Sequence, residues 1–119
     1  GKDVHDLVVS ETIAYVATEH GLETVSVSGS APALGPDLLI AGGASGIDID
    51  GSVAYVAPRA LADAPVSVIS LEDPAALGVI STLVVPSDGQ ARGVYLDQNW
   101  LYVMVEDGVH ALELTCEDL

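Results

Sequence analysis

Four polar residues near the middle of the chain, Asp48, Asp50, Gly51 and Ser52, have the spacing of the first half of a calcium-binding loop. Such a loop needs further oxygen ligands, including a bidentate glutamate, to complete the coordination sphere. Here a proline and an arginine follow at the positions where those ligands would be needed. We therefore interpret Asp50-Gly51 as a hairpin turn and predict neither a metal site nor a cofactor.

The sequence motifs do not indicate a histidine zinc site, a disulfide or a serine nucleophile. His5, His20 and His110 lack the H-x-x-x-H spacing of a zinc site, and Cys116 is the single cysteine, which excludes an intrachain disulfide. The G-x-S-x-G motif is absent, and the glycine-rich run at 42–46 precedes a strand, whereas phosphate binding requires a helix N-terminus or a nest with basic support. No catalytic residue is predicted, although a triad assembled from distant positions stays an open alternative.

The charge balance restricts the class of partner. Lys2, Arg59 and Arg92 are the only basic residues against eighteen acidic ones, which gives a formal net charge of −15. Such a surface repels the phosphates of nucleic acids and anionic lipids, so both are excluded as main partners. No apolar run approaches the ~18 residues of a membrane span, so no membrane insertion is expected. A protein or a surface polymer is the expected partner.

One sequence pattern occurs three times along the chain, and the structure that it forms must position any functional residue. These copies read DLVVSETIAYVA, GIDIDGSVAYVA and GVYLDQNWLYVM, and their tyrosines Tyr15, Tyr55 and Tyr102 are 40 and then 47 residues apart. Periods of ~40–45 residues are typical of propeller blades and of helical HEAT-type arrays, and the strand patterns here favour blades. The tyrosines themselves are expected to pack between neighbouring sheets.

Each copy predicts a hairpin of two apolar strands, a third strand after a polar connection and, in the first two copies, a fourth strand after a proline-containing link at 31–34 or 73–76. The predicted strands are Asp6–Val9, Ile13–Ala17, Leu22–Val27, Asp37–Ala41, Gly46–Ile49, Val53–Ala57, Val66–Leu71, Val79–Val85, Gly93–Leu96, Trp100–Val105 and Val109–Leu114.

The strand that carries each tyrosine is apolar at every position, which indicates a sheet that is covered on both faces. Sheets stacked around an axis meet this requirement, so the predicted fold is all-β: a single domain over 1–119 made of about three four-stranded antiparallel meander blades of a β-propeller. The repeats span about 4–43, 44–90 and 91–119, and the last lacks its fourth strand. Because closed propellers use ~4–8 blades, we expect a segment of a larger propeller, completed by further blades of the same protein, by copies of itself or by another chain. An open stack of three blades would expose apolar faces at both ends.

These copies resemble the LVIVD repeat, a bacterial and archaeal β-propeller repeat. The hairpin segments 7–17 and 47–57 are similar to the hairpin of that repeat, and 66–74 and 76–80 look like its third strand with the following turn and the start of its last strand. The third-strand aspartate of the family is replaced by Ser26, Ser70 and Glu113, and the third copy has Trp100 and Met104 where the other copies have smaller residues. The resemblance implies an extracellular or cell-envelope location and carries no active site.

Loops at one face of a propeller, at the mouth of its central channel, are the expected binding surface, because binding residues concentrate on loops held by a rigid scaffold. The predicted function is a non-catalytic binding or scaffolding module of a cell-surface or secreted protein. A purely structural part of a larger assembly and a propeller enzyme with a site on the channel face are the alternatives. The candidate binding residues on this face are His5, Glu19, His20, Arg59, Asp63, Asp88, Arg92, Glu106 and Asp107.

Overall fold

The structure is a computed structural model that describes residues 4–27, 29, 31–40, 43–58, 66–73, 76–83, 91–105 and 108–114. Within these ranges the chain forms eleven β-strands and no helix, and so nothing in them matches a membrane-crossing helix. The strands are β1 (Val4–Ser10), β2 (Ile13–Thr18), β3 (Gly21–Ser26), β4 (Ala33–Leu39), β5 (Ala44–Asp50), β6 (Val53–Pro58), β7 (Val66–Ser70), β8 (Gly78–Leu83), β9 (Ala91–Asp97), β10 (Trp100–Val105) and β11 (Gly108–Glu113).

The strands form three antiparallel meander sheets with the orders β1-β2-β3-β4, β5-β6-β7-β8 and β9-β10-β11. The prediction of an all-β fold built from antiparallel meanders is therefore confirmed. Within the described residues, the three sheets form an open stack that does not close into a ring. The C-terminal segment 115–119, after the third strand of the last predicted repeat, lies outside the described residues.

The first hairpin of every sheet turns at the same repeat position. Glu11, Gly51 and Gln98 all have positive φ angles, of 56°, 61° and 57° respectively. Positive φ at the first central residue is the requirement of the two-residue turns that match strand twist. Glycine meets this requirement without a steric cost, whereas glutamate and glutamine adopt it against their intrinsic preference.

Each inner strand also carries a β-bulge at one repeat position. The register of β1 with β2, of β5 with β6 and of β9 with β10 shifts at His5, Ser45 and Arg92 respectively. A bulge adds one residue to one strand and bends it. The strands therefore extend past the bulges to Val4, Ala44 and Ala91, beyond the predicted starts.

The fourth strand of the first sheet also differs from the prediction. The link predicted at 31–34 is wrong in its second half, because β4 already begins at Ala33 and ends at Leu39. Pro36 lies within this strand and its carbonyl accepts a hydrogen bond of 2.6 Å from the Thr24 hydroxyl. Proline is tolerated there because β4 is an edge strand. Of the predicted strand ends, Ala41 and 84–85 lie outside the described residues.

The central sheet is covered on both faces, as the fully apolar tyrosine strand predicts. Successive side chains of β6 and β7 alternate between two hydrophobic clusters, which is the period-2 pattern of a strand with two buried faces. The cluster between the first and second sheets contains Tyr15, Ala17, Leu22, Ala44, Ile47, Ala54, Val56, Ile69 and Leu71. The cluster between the second and third sheets contains Tyr55, Ala57, Val66, Val68, Val94, Leu101, Val103 and Val105.

The first and third sheets are covered on one face only. On the outer face of the third sheet Tyr95 is 61% exposed and Met104 is 45% exposed. On the edge strand of the first sheet Leu34 is 84% exposed and Leu39 is 76% exposed. The expectation that an open stack exposes apolar side chains at both ends is thus confirmed.

Two aspartates join the inner strands of neighbouring sheets. The amide of Leu7 donates to Asp6 Oδ1 at 2.9 Å, and the amide of Ile47 on the next inner strand donates to Asp6 Oδ2 at 3.1 Å. Leu7 and Ile47 are equivalent positions of the repeat, so one carboxylate satisfies the same outward amide of two strands.

Asp48 repeats this bridge between the second and third sheets. Its Oδ1 accepts from the Ile49 amide at 2.9 Å, and its Oδ2 accepts from the Leu96 amide at 2.7 Å. Ile49 and Leu96 are again equivalent positions. The inner strands β1, β5 and β9 therefore run side by side in matching register, which places equivalent turns of the three sheets at one end and equivalent bulges at the other.

Glycines allow the second and third inner strands to approach closely. A Cβ atom added to Gly46 would lie 2.7 Å from the Cα of Gly93, its equivalent in the next repeat. Real Cβ atoms do not come this close to backbone, so position 46 needs glycine for the strands to reach the distance at which Asp48 bridges them. A Cβ atom on Gly93 would meet only the terminal methyl group of Met104, which can move aside.

We predict that Asp48→Ala lowers the free energy of unfolding by about 3 kcal/mol, because two hydrogen bonds to a charged acceptor are lost and the half-buried position of Asp48 favours the low end of about 1.5–3 kcal/mol for each. Urea unfolding followed by circular dichroism measures the change. The control is Asp50→Ala, which removes an exposed carboxylate from the end of the same strand and is expected to shift stability by less than about 0.5 kcal/mol. Equal losses for the two variants would contradict the structural role of the bridge.

Candidate functional site

The described residues among those predicted for a channel-face site lie at the end of the stack where the inner strands begin. Of the nine, His5, Glu19, His20 and Arg92 belong to the described residues. Arg59, Asp63, Asp88, Glu106 and Asp107 lie outside them. His5, Glu19 and His20 occupy the same end of the first sheet, because Val4 pairs with Thr18 next to the β2–β3 turn. Arg92 lies at the corresponding end of the third sheet.

The turn between β2 and β3 is the best-defined part of this end. The His20 amide donates to the Thr18 hydroxyl at 3.2 Å, and the Ile40 amide donates to the His20 carbonyl at 3.0 Å. The imidazole Nε2 of His20 lies 3.6 Å from Glu19 Oε1, with both side chains in contact with solvent. Gly43, with a φ of 78°, passes so close to the Glu19 carbonyl that a side chain would not fit.

The three bulge residues share one place at this end but not one set of contacts. The Ser45 hydroxyl donates to the carbonyls of Ala57 and Pro58, at 3.4 and 3.2 Å, which ties the bulge to its own sheet. His5 and Arg92 are exposed. The predicted binding role of the channel-face residues therefore stays a prediction.

The supposed start of a calcium loop has a structural role. Both oxygens of Asp48 accept backbone amides, as described above, and Asp50 is an exposed residue before the hairpin turn at Gly51. Within the described ranges, no group of three or more His, Cys, Asp or Glu side chains is arranged to hold a metal ion.

A cavity of about 510 Å³ opens at the opposite end of the stack, between the first and second sheets. We call it the hairpin-end cavity, because the β1–β2 and β5–β6 turns form its rim. Its volume is within the range of ~300–1,000 Å³ that is typical of ligand sites. Its lining residues are Val9, Ser10, Glu11, Thr12, Ile13, Tyr15, Ile49, Gly51, Ser52, Leu71 and Glu72.

The cavity combines an apolar wall with a strongly acidic rim. Ile13, Ile49 and Leu71 supply apolar surface, and Glu11 and Glu72 supply carboxylates from different sheets. Both carboxylates are exposed, and neither forms a hydrogen bond or an ion pair with another described residue. None of the described residues that line the cavity is basic.

Tyr15 lies at the base of the hairpin-end cavity. The residue is only 3% exposed. Its hydroxyl makes no hydrogen bond to another described residue, yet the oxygen is not sealed from solvent, so it opens into the cavity. Burial, and secondly the negative charge of Glu11, raises the pKa of the Tyr15 hydroxyl. The hydroxyl thus stays neutral at physiological pH and can donate or accept a hydrogen bond.

The sequence prediction missed this cavity. The repeat pattern predicts the residues around Glu11 only as part of a hairpin, and it predicts Tyr15 only as packing between neighbouring sheets. Packing does describe Tyr55, which is buried in the second cluster. The sequence feature that could have indicated the cavity is an acidic turn residue four positions before a repeated tyrosine.

The overall fold is similar to that of a solved structure. The crystal structure of the computationally designed Ika4 protein superimposes with a TM-score of 0.64 over 95% of this chain and 67% of the designed chain, with 9% sequence identity. At this identity the likeness shows the fold alone. No family model matches the sequence, and no curated protein matches it.

We predict that ionisation of the Tyr15 hydroxyl destabilises the folded chain at high pH. Because the folded-state pKa is raised above the ordinary value of about 10, the unfolded chain loses this proton first, and the free energy of unfolding falls as the pH rises from about 10 through the folded pKa. The free energy of unfolding of the wild type relative to Tyr15→Phe should therefore decrease between about pH 8 and about pH 11. Urea unfolding at both values tests this, with Tyr95→Phe as the exposed control. A wild-type advantage that grew with pH would contradict the direction of the shift.

Proposed function

We infer that this chain is a run of β-propeller blades that acts as a non-catalytic binding module of a cell-surface or secreted protein. Its partner is a protein or a surface polymer with positive charge. The hairpin-end cavity carries this proposal, because it offers a sizeable concave surface with unengaged polar groups and an apolar wall. Sites of that composition are typical of ligand binding.

The blade interpretation is supported by the relation between the three sheets. Each sheet is a meander that starts at its inner strand, and the inner strands lie next to one another in matching register. Stacking of meander sheets with their first strands together is the arrangement of propeller blades. The resemblance to the LVIVD repeat supports the location in the cell envelope or outside the cell.

The charge supports a cationic partner. With a formal net charge of −15, the chain attracts positively charged groups over a distance that shrinks with added salt. The acidic rim of the cavity adds a local attraction to this general field.

We predict that the folded chain binds poly-L-lysine saturably at about 0.05 M salt and at least about tenfold more weakly at about 0.5 M salt. Binding to the immobilised chain can be measured by interferometry, with poly-L-glutamate as the control of opposite sign. The chain unfolded in urea carries the same charge without the cavity and is expected to bind less. Equal binding by folded and unfolded chain would show attraction by bulk charge and would contradict a binding module.

A second candidate function is a structural part of an assembly that other blades complete. The exposed apolar side chains on the outer faces of the stack favour it, among them Tyr95 and Met104 on the third sheet. Contiguous exposed apolar surface is typical of a protein interface.

For this second candidate we predict a defined dimer or larger closed species. Light scattering after size exclusion, at low and high salt, gives the molar mass of the chain. Association through apolar faces should persist at high salt, since the hydrophobic effect is not screened. A folded monomer under both conditions would contradict completion between copies of this chain.

A further inference from the structure

We propose that the hairpin-end cavity binds a primary alkylammonium group on an aliphatic stem, namely a lysine side chain presented by a partner protein. This inference rests on the proposed binding function and names the chemical group that the site recognises. It is carried by Glu11, Glu72 and Tyr15, which line the cavity beside an apolar wall, with no basic residue among the described lining residues.

The polar groups of the cavity indicate a positively charged ligand. Glu11 and Glu72 are unpaired among the described residues, so an anionic ligand would meet two uncompensated negative charges. An ammonium group supplies three donors and no acceptor, which complements carboxylate and hydroxyl acceptors on different walls. Ser10, Thr12 and Ser52 also line the cavity, and their residue types carry further acceptor oxygens.

The buried tyrosine distinguishes this site from a solvated acidic surface. Tyr15 is 3% exposed, lines the cavity and has no hydrogen-bond partner among the described residues. Solvent reaches the hydroxyl oxygen, so a ligand that donates to it would take the place of water. Tyr15 lines the same cavity as Glu11 and Glu72.

The aliphatic stem follows from the wall between these groups. Ile13, Ile49 and Leu71 offer apolar surface that a lysine stem can cover, since lysine buries its methylene groups while its charged end stays with polar partners. Arginine fits less well, because its planar fork favours bidentate contact with one carboxylate over acceptors spread across two sheets.

The position of Glu11 permits a clean substitution. Its φ of 56° is matched by Gln98 at the equivalent turn of the third sheet, with a φ of 57°. Glutamine is therefore accommodated at this backbone conformation, and Glu11→Gln removes charge without new strain. Asp97→Asn with Glu113→Gln makes the same change in net charge on the third sheet, outside the cavity.

The test is a titration of the isotope-labelled chain with the blocked tripeptide acetyl-Gly-Lys-Gly-amide, followed by nuclear magnetic resonance. We expect saturable shifts for the amides of residues 10–15, 49–52 and 71–72. Glu11→Gln combined with Glu72→Gln should weaken binding by about tenfold or more, and Tyr15→Phe by about threefold. The charge-matched control pair should stay within about twofold. Circular dichroism confirms that each variant is folded.

The probe molecules test which chemical group binds and whether a protein lysine or a free amine supplies it. The norleucine tripeptide keeps the stem without the charge and is expected not to bind, and 1,5-diaminopentane represents a free amine. Binding of the lysine peptide supports the proposal, whereas binding of the diamine alone would overturn the assignment to a protein lysine. Equal binding of the norleucine peptide, tighter binding of an arginine peptide, or equal weakening by the control pair would overturn the ammonium site. Polylysine binding without any effect of the cavity variants would leave the binding module intact and remove only this site.

Discussion

The stack depends on how the outward amides of its inner strands are satisfied. An inner strand has a neighbour in its own sheet on one side only, and the amides on its other side need acceptors. Asp6 and Asp48 supply these acceptors, each to its own strand and to the equivalent position of the next. This interaction fixes register between sheets that share no backbone ladder, and the turns and bulges of the three sheets are aligned as a result.

Alignment of the sheets explains where the polar cavity arises. Matching register brings the β1–β2 turn beside the β5–β6 turn, so Glu11 and Ser52 come to border one space. Deeper in the stack, the same register brings apolar side chains together in the clusters that cover the two faces of the central sheet. The cavity has an apolar wall and an acidic rim because two hairpin turns with polar residues lie side by side above the apolar cluster. Tyr15 lies at the boundary between the polar rim and this cluster.

The repeats and the strands that carry the tyrosines could be read from the sequence, because local apolar patterns determine them. The bulges at His5, Ser45 and Arg92 could not, since a bulge interrupts the alternation by which a strand is recognised. The start of β4 was missed because Pro36 lies within this strand, and proline is compatible with a strand only at the edge of a sheet. The bridges of Asp6 and Asp48 join residues 41 and 48 positions apart, and no local pattern indicates such a pair. The cavity lies between the first and second sheets, which the Asp6 bridge joins, and the local patterns that predict single strands do not indicate it.

The carboxylate bridges also give the array a direction. Asp6 and Asp48 reach forward along the chain, and the equivalent positions of the third repeat are Gly93 and Tyr95, which have no carboxylate. Among the described residues, only the second repeat both receives a bridge from the preceding unit and extends one to the following unit. The central sheet is therefore tethered on both sides, whereas each outer sheet is tethered on one side only.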